Sequence, residues 1–173
     1  MEKHNITLEK LTEDHAKKLF NILKEKSLYE FIPEYPPNNL EELEERFRRL
    51  SQGAPKDIEE VWLNYAIYDN FLRNYVGTVQ ATIYQKSNIA ELAYFLGATY
   101  QGMGLMTYTL NCFQQKLIKD YNIKTFKAFI DTRNIKSISL IKRLGFVCSQ
   151  FIENADTFKG SKSDEYVFIL NIG

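Results

Sequence analysis

The chain reads as an α/β protein of the α+β kind: one domain with a mixed, mostly antiparallel sheet of about seven strands and about four flanking helices. Three observations predict this. Apolar runs rich in aromatic and β-branched residues are joined by short turn signals, as in hairpins. Between some of these runs lie longer stretches with helical spacing, which carry crossovers. The 173 residues suffice for one sizeable core, and no Pro/Gly/Ser-rich stretch divides them, so residues 1–173 are read as one domain.

Ile6 to Leu11 alternates apolar and polar residues as a half-buried strand does. Thr12-Glu13-Asp14 then signals a helix start before Ala16, Leu19, Phe20 and Leu23. Phe31 to Pro37 is an aromatic, proline-stiffened loop, and Asn39 caps a second helix running to about Leu50. Trp62 to Tyr68 and Tyr75 to Tyr84 form a hairpin across the Asp69-Asn70 turn, and Ser87-Asn88 turns the chain into a third strand, Ile89 to Leu96. A helix from Leu105 to Asp120 places Met106, Leu110, Phe113 and Leu117 on one face. Lys124 to Asp131 is a strand, Asn134 opens a helix that Gly145 ends, and Phe146 to Ile152 and Tyr166 to Leu170 are the last strands. The order β-α-α-β-β-β-α-β-α-β-β mixes hairpins with crossover helices, hence the mixed sheet.

Charge is balanced, with 22 Lys+Arg against 22 Asp+Glu, so no overall field favours nucleic acid or an anionic membrane. The start, Met1 to Asn5, lacks the apolar run of a secretory signal, and no run of eighteen apolar residues occurs; a cytoplasmic protein with no membrane partner is expected. Cys112 and Cys148 stand singly in apolar runs and are expected to be buried free thiols. His4 and His15 are flanked by charged residues and suggest no chemistry, and no metal site is indicated. Glu41, Glu42, Glu44 and Glu45 open the second helix, where carboxylates suit the helix dipole; with Tyr29, Phe31 and Tyr35 they are alternatively read as the entry for a cationic acceptor.

The feature with most chemical content is Tyr100-Gln101-Gly102-Met103-Gly104-Leu105-Met106, between a strand and a helix. Two close glycines leave several backbone N–H groups free at a positive helix end, which suits an anion such as phosphate. No Gly-Lys-Ser/Thr follows and no third glycine completes Gly-x-Gly-x-x-Gly, so the Walker A and dinucleotide readings drop out.

The segment resembles the pyrophosphate loop of the GNAT acyltransferase superfamily, Gln/Arg-x-x-Gly-x-Gly/Ala, through Gln101, Gly102, Met103, Gly104 and Leu105, with Met106 departing at the last small position. Asp131 to Phe146 resembles the family's Asn-x-x-Ser/Ala…Leu-Gly-Phe segment. Ala90 to Gly97, the Phe31-Ile32-Pro33 loop, Trp62 and Asp164-Glu165-Tyr166 look like the branch of ribosomal-protein N-terminal acetyltransferases.

The resemblance implies acetyl-CoA as cosubstrate, its pyrophosphate on the N–H groups from Gln101 to Met106 and its pantetheine along the backbone of Tyr94, Phe95 and Leu96. It implies transfer to a primary amine, a small molecule or a protein N-terminus, by direct attack in a ternary complex. Amines of pKa about 10.4 (lysine type) or about 8 (α-amine) must lose a proton first, so a general base is required. Glu91, on the strand that ends at the loop, is the candidate, with a surface carboxylate as the plain alternative. An N–H near Phe95 or Leu96 would serve the oxyanion. Many relatives place a proton-donating tyrosine where this chain has Ile141; Ser137 is the replacement, with Asn134 as a catalytic and cofactor-binding residue whose helix end points polar groups at the pantetheine, and Asn134 also reads as an N-cap for the Ser137 amide. Tyr108 stands at a position often acidic in this branch. Two alternatives remain open: a non-catalytic acetyl-CoA sensor of the same fold, and an α/β domain whose glycines merely turn the chain. Either a monomer or a homodimer fits the sequence.

Overall fold

The structure, a computed structural model, describes residues 4–173; Met1 to Lys3 lie outside the described residues. Four helices flank one seven-stranded sheet: β1 (Ile6–Lys10), α1 (His15–Leu23), α2 (Leu40–Ser51), β2 (Val61–Asp69), β3 (Asn74–Tyr84), β4 (Ile89–Leu96), α3 (Leu105–Tyr121), β5 (Thr125–Asp131), α4 (Ile135–Arg143), β6 (Val147–Phe158) and β7 (Ser161–Asn171). The spatial order is β1-β2-β3-β4-β5-β7-β6, so β7 inserts between β5 and β6.

Every neighbouring pair is antiparallel except β4 and β5, which α3 connects. That parallel pairing spans only Ile89↔Thr125, Ala90↔Phe126 and Glu91↔Lys127. Beyond it the two strands part, and residues 92–96 have no β5 partner. The sheet is therefore split down its middle, and the split opens toward the glycine loop.

Period-two alternation divides the side chains between two cores. Ala90, Leu92, Tyr94 and Leu96 join β2, β3, β5, α3 and α4 in the larger cluster. Phe95 faces the opposite way, into the smaller cluster built by α1 and α2 with Ala66 and Tyr75. Gly77 sits where β3 crosses the end of β4; a Cβ there would lie 2.0 Å from the Phe95 carbonyl oxygen, so only glycine permits this approach.

The last two strands are longer than the apolar runs suggest. Residues 153–160 are polar because this arm of the β6–β7 hairpin extends mostly into solvent, held largely by backbone pairing, and so shows no alternation. The same exposure corrects the reading of the thiols: Cys148, on edge strand β6, is exposed and Cys112 only partly buried. His15 is buried, with Nε2 3.1 Å from Glu9 Oε2 and its ring edge-on to Tyr75. No helix is long and apolar enough to cross a membrane among the described residues.

Candidate functional site

The site forms where β4 and β5 separate. At its mouth Gly102 and Gly104 adopt φ of +80° and +81°, and α3 begins at Leu105 with Gly104 as its N-cap. Apart from its own chain neighbours, no atom of the described residues lies within 4 Å of where a Cβ on Gly102 would stand, so the loop is an open cradle. The amides of Gly102, Met103, Gly104, Leu105 and Met106 have no carbonyl or side-chain acceptor among the described residues. The Gln101 amide, expected to be free with them, instead donates to Ala98 O at 3.3 Å in the turn before the loop. Met106 leaves the cradle clear, because its side chain is buried in the core. Tyr108 donates its amide to Gly104 O, and its ring lies 5.6 Å from that of His4.

The Gln101 side chain ties the loop to both neighbours. Its Nε2 donates to Leu96 O (3.1 Å), and its Oε1 accepts from Lys136 Nζ (3.3 Å) of α4. This brings an exposed cation beside the free amides. Sequence reasoning missed Lys136, since only the packing of α4 against the loop brings it there.

The open edge of β4 has a defined polarity. Gly97 donates to Val76 O, and the Phe95 carbonyl points at Gly77, so Phe95 directs its backbone groups to β3. In an unbroken ladder the alternate residues, Tyr94 and Leu96, turn theirs to the cleft. Of the two amides considered for an oxyanion, this leaves Leu96.

Across the cleft, Asn134 Oδ1 accepts from the Ser137 amide (3.2 Å), the N-cap read from the sequence. Tyr94 Oη lies 2.6 Å from Ser137 Oγ. Burial pushes the Tyr94 phenol up to about 12. Ile141 is fully buried and serves only the core.

Glu91 lies on the other side of β4, three residues or roughly 10 Å along the strand from Tyr94. Tyr84 Oη donates to Glu91 Oε2 at 3.2 Å; burial first, then the Glu91 charge, pushes this phenol up to about 12. The hairpin register offered a signal for Tyr84, because Tyr84 opposes Ile89 and is thus the diagonal neighbour of Glu91. Glu165 pairs with Asp131 across β5 and β7, and burial, then the charges of Asp156, Asp131 and Glu91, pushes its carboxyl up. Burial would raise Asp131 as well, but hydrogen bonds from Arg133 and Ser163 outweigh it and hold that carboxyl low.

Three of the four acids that open α2 are engaged by neighbours. Glu42 accepts from the Asn38 amide at 2.8 Å, Glu44 pairs with Lys17 at 3.9 Å, and Glu45 pairs with Arg48. The solvated helix end is thus the reading the structure favours. Of the aromatics, Tyr29 is buried against Phe95 and Tyr35 is largely exposed. Lys159, at the β6–β7 tip, clamps this segment by donating to the carbonyls of Tyr29, Ile32 and Glu34. A cavity of about 570 Å³ lies beneath the clamp, lined by Lys26, Tyr29, Glu30 and Tyr35 among others; none of Glu91, Ser137 or the glycine loop borders it. Among the described residues no cluster of three His, Cys, Asp or Glu could hold a metal.

Comparison with known proteins places this geometry. The fold superposes on spermidine N-acetyltransferase from Vibrio cholerae, solved with CoA and spermine (TM-score 0.80, 18% identity, covering 96% of this chain and 95% of that one). It superposes equally on the acetyltransferase from Salmonella typhimurium that modifies the N-terminal serine of ribosomal protein L7/L12 (TM-score 0.84, 19% identity, 97% and 95%). A third is the microcin C7 self-immunity acetyltransferase in complex with acetyl-CoA and AMP (TM-score 0.81, 21% identity, 96% and 92%). A search of curated protein sequences finds no match. Residues 5–147 match the acetyltransferase (GNAT) domain model, and with the split sheet and glycine cradle in place the chain belongs to the GNAT acetyltransferase family.

Proposed function

We propose that this chain, acting as one domain over residues 1–173, transfers the acetyl group of acetyl-CoA to a primary amine by direct attack in a ternary complex. The observation that carries the reading is the pairing of a free-amide cradle with an unpartnered strand edge at one split in the sheet. Acetyl-CoA supplies the activated thioester; the protein supplies placement and proton handling. Gly102, Met103, Gly104, Leu105 and Met106 hold the pyrophosphate by their amides, with Lys136 adding charge. Tyr94 and Leu96 offer backbone groups to the pantetheine, Phe95 shapes the strand, and Gln101 braces it. The Leu96 amide serves the oxyanion.

Glu91 accepts the amine's proton, through water given its distance along the strand, and Tyr84 orients it. Ser137 donates to the leaving sulfur from the opposite face, on the turn that Asn134 caps. Base and donor thus approach from different sides of β4, as a reaction between two substrates entering from different sides requires. Glu91 and Glu165 give the acceptor side a negative field that suits a cation.

The acceptor is a protein N-terminus, as with the Salmonella enzyme, or a small amine, as with the Vibrio enzyme. The protein works in the cytoplasm, as monomer or homodimer, with neither nucleic acid nor membrane as partner. The test is calorimetric titration with acetyl-CoA followed by a panel of N-terminal peptides, polyamines and aminoglycosides while free thiol is monitored. Binding with thiol release supports the proposal. Binding without release across the panel favours the sensor reading, kept open by Ile141.

A further inference from the structure

We infer that Tyr94 is a positioning residue for the leaving-group donor: its phenol donates to Ser137 Oγ and so turns the Ser137 hydroxyl hydrogen into the cleft. The inference rests on the function proposed above.

The 2.6 Å separation lies at the short end for two hydroxyls, and either atom has the chemistry to donate. The surroundings decide which one does. Ser137 is the phenol's sole hydrogen-bond partner among the described residues, and the ring packs in the cluster beneath α3 and α4. Were Ser137 the donor, the phenolic hydrogen of this partly buried ring would have no acceptor among the described residues, a costly arrangement. With Tyr94 as donor, both hydrogens are placed: the phenol's on Ser137 Oγ, and the serine's outward into a wet cleft. The raised pKa of the phenol keeps that hydrogen in place throughout the working pH range.

Position explains why the device sits here. Ser137 and Ile141 are four residues apart and share one face of α4. Ile141 is fully buried and brings no hydroxyl to that face, so the strand supplies a phenol one turn earlier, acting through serine. The Asn134 cap holds the Ser137 backbone, and Tyr94 then fixes the remaining torsion of the hydroxyl. In the transfer, the amine nitrogen bonds to the carbonyl carbon while the electron pair of the C–S bond passes to sulfur. The Ser137 O–H stabilises that charge by a hydrogen bond. The protonated amine gives one proton through Glu91 before attack and its nitrogen gives a second as the amide forms; one proton is taken up by the sulfur, which ends as a thiol, and the other passes to solvent.

The experiment is a double-mutant cycle on Tyr94→Phe, Ser137→Ala and the pair, with thermal melts confirming folded protein. Steady-state turnover is one readout. The other is calorimetric affinity for CoA against desulfo-CoA, which lacks the sulfur. Expected are a loss of kcat of about 100-fold for S137A and about 10-fold for Y94F, with the double variant matching S137A. The KM for acetyl-CoA stays within about threefold, since the lost interaction forms at the sulfur as the bond breaks. The preference for CoA over desulfo-CoA falls in both single variants, while desulfo-CoA affinity holds. Wild-type kcat in Y94F, multiplicative losses in the pair, or equal loss of CoA and desulfo-CoA binding in Y94F would each overturn the inference, the last by showing a packing role. If no amine is turned over at all, the proposed function falls, and the binding comparison still decides whether Tyr94 acts through Ser137 on the sulfur site.

Discussion

Replacing Gly102 by alanine separates backbone strain from ligand recognition, because a matched control exists in the same chain. Gly102 has φ +80° and Gly160, at the β6–β7 tip, has φ +78°; a Cβ at either position meets nothing within 4 Å among the described residues. With no clash to add, the stability loss of both variants is the cost of holding an L-residue in the left-handed region, about 1–2 kcal/mol. For a chain of this size each kcal/mol lowers Tm by roughly 2–4 °C, so both variants should melt about 2–8 °C early. Only Gly102→Ala puts a methyl group in front of the free amides, and its affinity for acetyl-CoA should drop at least about tenfold, roughly 1.4 kcal/mol. Gly160→Ala should bind as the wild type does. Thermal melts and calorimetric titration of the two proteins give both quantities. Equal acetyl-CoA affinity in the two variants, with both melts lowered, would refute the placement of the pyrophosphate on this loop.

Three further outcomes follow from the site. Glu91→Gln should reduce turnover by at least about 100-fold at neutral pH, and an unchanged pH–rate profile would remove Glu91 as the base. Asp131→Asn should cost on the order of 3 kcal/mol, because it unpairs Arg133 and weakens the bond from Ser163 around a buried carboxylate. Since the folded state holds Asp131 low, its contribution is present above the unfolded pKa of about 4 and is lost as pH falls below it, so wild type and variant should converge in urea melts taken in acid. Glu165 has the opposite sign: its folded-state pKa is raised, so its charged form opposes folding as pH rises past the usual carboxylate range. Glu165→Gln should therefore raise Tm at pH 7 and leave it unchanged near pH 4; a lower Tm at pH 7 would mean that Glu165 is held by a favourable partner.

The sequence by itself determined the elements and the local chemistry. The apolar run that follows the Ser87-Asn88 turn marked β4 from Ile89 to Leu96 to the residue, because a turn signal and an apolar run are both written into neighbouring side chains. The positive φ of Gly102 and Gly104 and the Asn134 cap on Ser137 were legible too, since each is settled within three or four residues. The β6 arm was not legible, because a strand arm exposed on both faces carries no pattern of burial. Tertiary structure alone decided where the sheet splits. That depends on how many pairs β4 and β5 form after α3 has carried the chain across, and only three form. It alone brought Tyr94 to Ser137, 43 positions away, and set the charges of Asp131 and Asp156 around Glu165. Such contacts arise from packing helices on opposite faces of a twisted sheet, which couples residues by position in space rather than by spacing along the chain.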